Sequence, residues 1–438
     1  MGLDNIKLVK KAMKNTEGYY FFDRLYNEKK EATYNKKQIL AGWNRNNRKY
    51  YYKFSDDKSG EFSSRRLLWC GATGSGKSVC LQGCGDRASL SSFGRFIIDP
   101  HGEYYTSKNP VQEELTELLD EGEEPKGFDN LKIYFPFFLR KYAEKINEDA
   151  QFIQLSLSML TKYDLMTILG EEDETQPKGR AITMAFNEIE KGSIGNFVEL
   201  KDFITKLGEE KTVDPRTANS LLGMINSAIA EGVLGEEHID FDFGTDIANG
   251  FIPILDLSGS GSAGLSEKTG YTSSFVSVIG EQVWKAKISG EIPRDMPIMM
   301  QADELHRFMP ASSNSSSKRF IIKVLKEGRK FGLSFSGATQ NPQDLDARGV
   351  EQMSYIMISW NMKINTAHGI LDNAGLMRES PSVRNRFKDI KNSMGEYEWI
   401  VIDMDSAKPD FTSSNRQIDD NIIVKVAGPI SEHFTEGM

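Results

Sequence analysis

Residues 67–78 read LLWCGATGSGKS, and this stretch decides the fold. The apolar run at 67–70 predicts a short strand, and a helix is predicted near 77–88. The turn between them fits G-x-x-x-x-G-K-[ST], the P-loop pattern, in the strand–turn–helix context that the pattern requires. Glycines let successive backbone N–H groups point inward at phosphate oxygens, and the helix adds its positive amino end. The stretch predicts a nucleotide site, and the alternative is a glycine-rich turn that binds no nucleotide.

Two side chains at the end of this turn match parts of a Mg²⁺–nucleotide complex. Lys77 would reach the β- and γ-phosphates, and the Ser78 hydroxyl would ligate Mg²⁺. The predicted cofactors are therefore ATP and Mg²⁺. The predicted nucleotide-binding residues of the turn are Gly71, Ala72, Thr73, Gly74, Ser75, Gly76, Lys77, Ser78 and Val79.

Outward from the P-loop, strand-like apolar runs alternate with helical spacing. Further strands are predicted at 96–99, 131–138, 251–258, 297–304, 333–340, 355–362 and 398–404. Helices fit near 272–288 and 318–329, and residues 140–248 have helical spacing with few strand-like runs. Apolar strands separated by helices indicate an α/β fold with a mostly parallel sheet and an α-helical insertion. In such sheets, ligands bind at the carboxyl ends of the strands.

The chain divides into three predicted regions. These are a basic, aromatic-rich extension at 1–62, a P-loop domain at 63–430 that contains the insertion, and a tail at 431–438. The net charge is −9, yet residues 1–66 hold 16 Lys/Arg against 8 Asp/Glu, which leaves −17 for the remainder. The extension shows no clear strand alternation. It is either an arm that faces nucleic acid or a solvated segment that packs its aromatic residues on the body or on another subunit.

Composition narrows the class of protein. The 438 residues contain 39% hydrophobic and 27% charged residues, which suits a globular chain with a sizeable core. No apolar run approaches the roughly 20 residues that span a bilayer, and the first residues contain no apolar signal segment. Three cysteines without paired spacing favour neither a disulfide scaffold nor structural zinc. We expect a cytoplasmic protein without direct membrane insertion.

Residues 93–105, FGRFIIDPHGEYY, place Asp99, His101 and Glu103 just after a predicted strand. The cluster could be a metal site, an acid–base site or the ordinary end of a strand. Three ligands crowded into one turn make a poor metal cage. Pro100 and Gly102 are predicted to shape the exit from the strand, and His101 and Glu103 to orient groups or stabilise the loop.

A second acidic strand end occurs in PIMMQADELHRF at 297–308. In P-loop ATPases an Asp at the end of a neighbouring strand holds Mg²⁺, which predicts Asp303 as a metal ligand. Glu304 beside it could polarise the attacking water. The alternative is an exposed acidic strand end.

Polar residues also flank the next predicted strand, in LKEGRKFGLSFSGATQ. Gln340 ends that strand and could sense the γ-phosphate. Arg329 could stabilise charge in the transition state, or it is a surface cation at a helix end. GSGSAG at 259–264 and SSNSSSKR at 312–319 are predicted to be mobile loops, and in a ring they could face the channel.

The ordered set GATGSGKS, IIDPHGEY, ILDLSG, ADELHRF and EGRKFGLSFSGATQNP resembles the HerA branch of the FtsK–HerA superfamily. Those proteins are hexameric, DNA-translocating ATPases with a RecA-like core. The resemblance covers roughly residues 63–105 and 250–405. It implies a RecA-like P-loop ATPase domain, double-stranded DNA as substrate and a homo-oligomer, which in that family is a hexamer.

The resemblance also assigns roles residue by residue. Lys77 and Ser78 contact the phosphates and Mg²⁺, Asp303 is the metal-side acid, and Glu304 is the catalytic glutamate. Arg329 resembles the family's catalytic arginine and Gln340 its sensor. Asp99 matches an acid beside the nucleotide, where it would reach the Mg²⁺–water network. Arg66 matches an arginine that is offered to a neighbouring subunit.

Three functions are compatible with this reading. The first is a DNA translocase or helicase, with a nuclease as a possible partner. The second is a genome-packaging or conjugative DNA-transfer motor that docks on a portal or channel. The third belongs to another class, a secretion or assembly ATPase that acts on protein without DNA.

Overall fold

The computed structural model describes residues 34–56, 59–112, 116, 119–146, 150–259, 269–374, 381–405 and 423–432. These residues form a 12-stranded sheet. Its strands in chain order are β1 Gln38–Asn44, β2 Lys49–Lys53, β3 Arg66–Cys70, β4 Gly94–Asp99, β5 Leu131–Pro136, β6 Gln151–Ile153, β7 Ile252–Asp256, β8 Ile298–Ala302, β9 Leu333–Thr339, β10 Tyr355–Ser359, β11 Glu398–Asp403 and β12 Ile423–Val426.

The sheet is parallel over most of its width. Its spatial order is β2-β1-β12-β11-β10-β3-β9-β8-β4-β7-β5-β6. In this spatial order, all neighbouring strands from β10 through β6 pair in parallel. The strands on the other side of β10, which are β11, β12, β1 and β2, pair antiparallel. The predicted mostly parallel α/β class is confirmed. Because β3, β4, β8 and β9 are parallel, their carboxyl ends share one edge, where the P-loop lies.

Helices cover the faces of the sheet. In chain order they are α1 Lys77–Leu90, α2 Arg140–Ile146, α3 Lys162–Ile168, α4 Pro177–Glu190, α5 Phe197–Glu209, α6 Pro215–Ala230, α7 Phe243–Ala248, α8 Thr269–Ser289, α9 Ser316–Glu327, α10 Ala347–Val350, α11 Ile364–Asn373 and α12 Pro381–Asn392. Six of these helices, α2 to α7, lie within 140–248, together with the short strand β6. Within the described segments, none of the helices combines the length and the apolar character that a bilayer crossing needs.

The central strands are buried on both faces: β7, β8 and β10 are mostly apolar, and β9 adds the small polar residues Ser334, Ser336 and Thr339. Every residue of β7, β8, β9 and β10 is buried. Strands covered by helices on both faces have this composition. β5 ends at Pro136, two residues before the predicted end of this strand, since proline donates no hydrogen bond to the ladder.

Two strands lie where the sequence shows no clear alternation. β1 and β2 form an antiparallel hairpin within 1–62 and extend the sheet beyond β12. Tyr52 of β2 is fully buried, and its ring packs edge-on against Trp69 at 5.9 Å and against Tyr355 at 5.2 Å. This agrees with the alternative in which aromatic residues of the extension pack on the body. The YYFF run at 19–22 lies outside the described residues.

The prediction of a mobile loop at 312–319 is wrong for its second half. Residues 316–319 form the first turn of α9, and Ser316 and Ser317 are buried. The Ser317 hydroxyl donates a hydrogen bond to the Phe308 carbonyl and accepts one from Ser273, each at 2.8 Å. Serine hydroxyls that find such partners can be buried at a helix start. Of the GSGSAG segment, only Gly259 is among the described residues.

Candidate nucleotide site

The P-loop connects the carboxyl end of β3 to the first residue of α1. Gly74 and Gly76 have φ angles of 75° and 83°, in the left-handed region that favours glycine. A backbone curl of this kind turns N–H groups toward a common centre, as phosphate binding requires. Lys77 is a buried residue, and its ammonium group donates a hydrogen bond to the Ala72 carbonyl oxygen at 3.2 Å. The turn thus concentrates positive charge and amide donors at the carboxyl edge of the sheet.

A candidate magnesium site joins the P-loop helix to the end of β8. The Ser78 hydroxyl donates a hydrogen bond to Oδ2 of Asp303 at 2.6 Å. Burial raises the pKa of Asp303, and the hydrogen bond from Ser78 opposes that rise. Mg²⁺ prefers oxygen ligands and is usually held by one or two protein groups together with substrate phosphates. A hydroxyl and a carboxylate beside a P-loop therefore fit this ion.

Glu304 follows Asp303 in an unusual backbone conformation. Its φ of 44° and ψ of 48° lie in the left-handed region, which is sparsely populated by residues with a side chain. Its Oε1 accepts a hydrogen bond from Nε2 of Gln340 at 2.6 Å. The Thr73 hydroxyl donates to Oε1 of Gln340 at 2.8 Å. Gln340 thus bridges the P-loop and Glu304.

Two histidines flank the Glu304 carboxylate. Nδ1 of His306 lies 3.2 Å from Oε2, and Nε2 of His101 lies 3.9 Å from Oε1. Burial raises the pKa of Glu304, but the two histidines and Gln340 outweigh that effect and hold the pKa well below its usual range. The Glu304 carboxylate in turn raises the pKa of His101. Glu304 is therefore ionised at neutral pH, the state that a general base requires.

The Asp99 carboxylate closes the turn after β4. Its Oδ1 accepts the backbone N–H groups of His101 at 3.1 Å and Gly102 at 2.8 Å. Its Oδ2 accepts the N–H of Tyr104 at 2.9 Å. Burial, and then the charge of Asp256 at the same level of β7, raise the pKa of Asp99. The structure gives Asp99 a part in fixing this loop, and its contact with a nucleotide stays a prediction.

Arg66 and Arg329 lie near the amino ends of parallel strands, whereas the P-loop lies at the carboxyl ends. Arg66 opens β3 and Arg329 precedes β9, so both sit at amino ends of parallel strands. Nη2 of Arg329 pairs with the Asp56 carboxylate at 3.1 Å, and Nε of Arg66 donates to the Gln352 carbonyl at 2.7 Å. Burial lowers the pKa of Arg66; the Asp405 carboxylate opposes this and Arg329 adds to it. The structure does not bring these two arginines to the P-loop of their own chain.

Sequence reasoning missed the contacts of the two histidines with Glu304. His101 and His306 occur in the motifs DPH and DELH, each shortly after the carboxyl end of a parallel strand. The carboxyl ends of parallel strands meet at one side of the sheet, so the position of the two histidines after such ends could have indicated that they lie near Glu304. Thr73 was predicted to bind nucleotide, and the structure adds its hydrogen bond to Gln340.

The parallel sheet, the P-loop and the acidic end of β8 together define the fold of the P-loop nucleoside triphosphatases. The family described as "Helicase HerA, central domain" matches residues 58–279. The chain belongs to this HerA helicase family, and the resemblance noted from the sequence motifs is confirmed.

Curated relatives carry the same family name. The "DNA double-strand break repair helicase HerA" of Sulfolobus acidocaldarius is 25% identical over 313 residues, which cover 66% of this chain and 54% of that protein. The protein of the same description from Sulfurisphaera tokodaii is 23% identical over 303 residues, with the same two shares, 66% and 54%. The chain thus spans about half the length of the curated relatives it matches.

Solved structures share the fold. VirB4 of Thermoanaerobacter pseudethanolicus superposes with a TM-score of 0.54 at 15% identity, over 86% of this chain and 98% of that one. Plasmid coupling protein TrwB, in complex with the GTP analogue GDPNP, superposes with a TM-score of 0.53 at 15% identity, over 94% and 99%. At this identity the likeness supports the fold alone.

Proposed function

We propose that this chain is a Mg²⁺-dependent ATPase that works as a DNA translocase or helicase motor and moves or pumps double-stranded DNA. The observation that carries the proposal is the contact between Ser78 and Asp303 beside the ionised Glu304. It joins a P-loop, a metal-binding pair and a candidate general base within one site. Membership of the HerA helicase family supports DNA as the substrate.

In this proposal each side chain has a distinct task. Ser78 and Asp303 would hold Mg²⁺, which supplies charge neutralisation on the β- and γ-phosphates when bound. Lys77 binds the phosphates. Glu304 accepts a proton from the attacking water. Gln340 senses the γ-phosphate and is coupled to Glu304 through their hydrogen bond of 2.6 Å.

The arginines act between subunits in this proposal. Arg329 and Arg66 lie at the edge opposite the P-loop, so they could meet a nucleotide only on a neighbouring chain. A head-to-tail contact between the two edges is heterologous and closes into a ring when the rotation permits. We therefore infer a homo-oligomeric ring, a hexamer by analogy with the family, with ATP bound at each subunit interface. A nuclease or a portal would dock on that ring.

The experiment measures ATP hydrolysis with and without double-stranded DNA, in the presence of Mg²⁺. Glu304→Gln should lower hydrolysis about 10²- to 10⁴-fold while ATP still binds. The exposed Glu209→Gln is the matched control and should hydrolyse ATP at the wild-type rate. Hydrolysis that DNA does not stimulate would contradict the translocase and leave the nucleotide site intact.

DNA affinity distinguishes the remaining alternatives. Phosphate contacts release counterions, so binding to DNA should weaken steeply as salt rises. A chain that hydrolyses ATP but shows no such DNA binding would favour an ATPase that acts on protein.

A further inference from the structure

We propose that His101 is a positioning residue that orients the Glu304 carboxylate toward the water that attacks the nucleotide. The inference rests on the proposed ATP hydrolysis and deepens it. His101 lies on the loop after β4 and Glu304 on the loop after β8, so the contact joins two neighbouring strand ends.

Three side chains surround the Glu304 carboxylate, and one of them, Gln340, makes a hydrogen bond to it. Gln340 donates to Oε1, His306 lies against Oε2, and His101 lies on the side of Oε1 at 3.9 Å. The supports differ in origin. Gln340 is tied to the P-loop through Thr73, and His306 lies 3.1 Å from the Thr339 hydroxyl. Among the described residues, Glu304 is the ion-pair partner of the His101 ring.

The loop that presents His101 is fixed independently of the histidine ring. Asp99 accepts the backbone N–H groups of residues 101, 102 and 104. Gly102 has a φ of 74°, and a Cβ atom there would lie 2.7 Å from the Ser258 hydroxyl and 3.3 Å from Oδ2 of Asp256. The loop is therefore packed tightly against the end of β7.

The turn itself does not require a histidine at position 101. Asp99 uses only the backbone N–H of this residue, and the side chain is 46% exposed. Burial and turn geometry therefore leave the choice of side chain open. The ring nitrogen that faces Glu304 supplies the reason for a histidine.

Loss of this support should affect the chemical step and spare nucleotide binding. A general base acts only when its oxygen is aimed at the proton that it removes. A displacement of about 1 Å can cost about 100-fold in rate. Among the described residues, no hydrogen bond or ion pair joins the His101 side chain to the P-loop, so the nucleotide affinity should stay unchanged.

The test compares three substitutions of His101 in the full chain. The Gln amide nitrogen stands as many bonds from Cα as Nε2 does, whereas the Asn amide nitrogen corresponds to Nδ1. We expect His101→Ala and His101→Asn to lower kcat about 10- to 100-fold with KM within about twofold. His101→Gln should recover most of the rate. His238→Ala is the control, because the His238 ring stacks on Phe137 and lies far from His101 along the chain.

Folding is checked by the binding of a fluorescent ATP analogue, which each variant should bind as the wild type does. The inference is overturned if His101→Ala keeps the wild-type kcat, if its KM rises while kcat is unchanged, or if Gln and Asn behave alike. A wild-type chain that does not hydrolyse Mg²⁺-ATP overturns both this inference and the proposed function. Wild-type hydrolysis with an unaffected His101→Ala overturns the inference alone.

Discussion

The Ser78 hydroxyl and the Asp303 carboxylate lie 2.6 Å apart, although one belongs to the P-loop helix and the other to the end of β8. We predict that Ser78→Ala removes the gain in nucleotide affinity that Mg²⁺ provides, because the hydroxyl is one of two protein oxygens that fit the ion. Titration of a fluorescent ATP analogue, with Mg²⁺ and with a chelator, checks this.

The matched control for that prediction lies on the same helix. The Ser89 hydroxyl is buried without a hydrogen-bond partner within the described structure. Ser89→Ala should keep the full response to Mg²⁺. An undiminished response in Ser78→Ala would contradict a metal role for Ser78.

A second prediction concerns the bridge from the P-loop to Glu304. Thr73 donates a hydrogen bond to Gln340, and Gln340 donates one to Glu304. Thr73 therefore affects Glu304 only through Gln340. Gln340→Ala should lower the hydrolysis rate about 10- to 100-fold. Thr73→Ala should add little in the Gln340→Ala background, since residues of one network are not additive. Fully additive losses of rate in the double variant would argue against the bridge.

The third prediction places Arg329 at the site of a neighbouring chain. Arg329→Ala and Lys77→Ala should each abolish hydrolysis, since an arginine of this kind is worth about 10³- to 10⁵-fold in rate. A mixture of the two inactive variants should regain activity, because some interfaces then combine an intact P-loop with an intact Arg329. A mixture without activity would contradict action between subunits.

Arg329→Ala is suited to this test because its fold should survive. The ion pair with Asp56 is about half exposed, and such pairs contribute about 0–1 kcal/mol to the free energy of unfolding. Lys330→Ala, an exposed neighbour in the same turn, is the control and should retain hydrolysis.

The fourth prediction uses the buried pair Asp99 and Asp256. Burial and the charge of Asp256 raise the pKa of Asp99 to about 7, against about 3.9 for an ordinary Asp. The folded chain thus binds more protons than the unfolded chain between these values, so this pair's contribution to stability falls as pH rises across the window.

Asp256→Asn should make that loss smaller. It removes one charge, and the amide oxygen can still accept the N–H of Ser258, as Asp256 does at 2.8 Å. Because one pKa unit corresponds to about 1.4 kcal/mol, we expect the variant to gain at least about 1 kcal/mol over the wild type between pH 5 and pH 8. Denaturant unfolding at both pH values measures this. The exposed Asp202→Asn should follow the wild type, and an Asp256→Asn variant that also follows it would contradict the shared burial of charge.

The sequence predicts the central strands well because each is a run of mainly apolar or small residues that ends at a polar residue or at glycine. The run at 251–258 contains β7, and the run at 333–340 contains β9. The hairpin of β1 and β2 was missed for a physical reason. Tyr52 is buried by Trp69 and Tyr355, which lie far along the chain, and a run of tyrosines shows no alternation by itself.

The sequence likewise predicted only part of the candidate site. Motif positions predicted Lys77, Ser78 and Asp303, and the structure brings all three to one edge of the sheet. The contact between His101 and Glu304 depends on the side-by-side pairing of β4 and β8 and on a left-handed residue after β8. A local pattern determines neither of these, so the contacts of the two histidines with Glu304 emerged only from the fold.

The last prediction concerns a buried carboxylate on the P-loop helix. Asp86 forms an ion pair with Arg95 at 2.9 Å, and both side chains are fully buried. Its other oxygen accepts the backbone N–H groups of Ile430 and Ser431 at 3.0 Å and the Ser431 hydroxyl at 2.9 Å. The carboxylate therefore fastens the segment after β12 to α1.

Asp86→Ala would leave the Arg95 charge and these donors buried without the carboxylate. Removal of one partner from a buried ion pair costs about 3–5 kcal/mol of unfolding free energy, whereas the exposed Asp129→Ala should stay within about 0.5 kcal/mol of the wild type. Urea unfolding measures both values. Hydrogen exchange at the Ile430 and Ser431 amides should accelerate in Asp86→Ala, because these N–H groups lose their acceptor. A loss below about 1 kcal/mol with unchanged exchange would mean that other contacts hold the segment on α1.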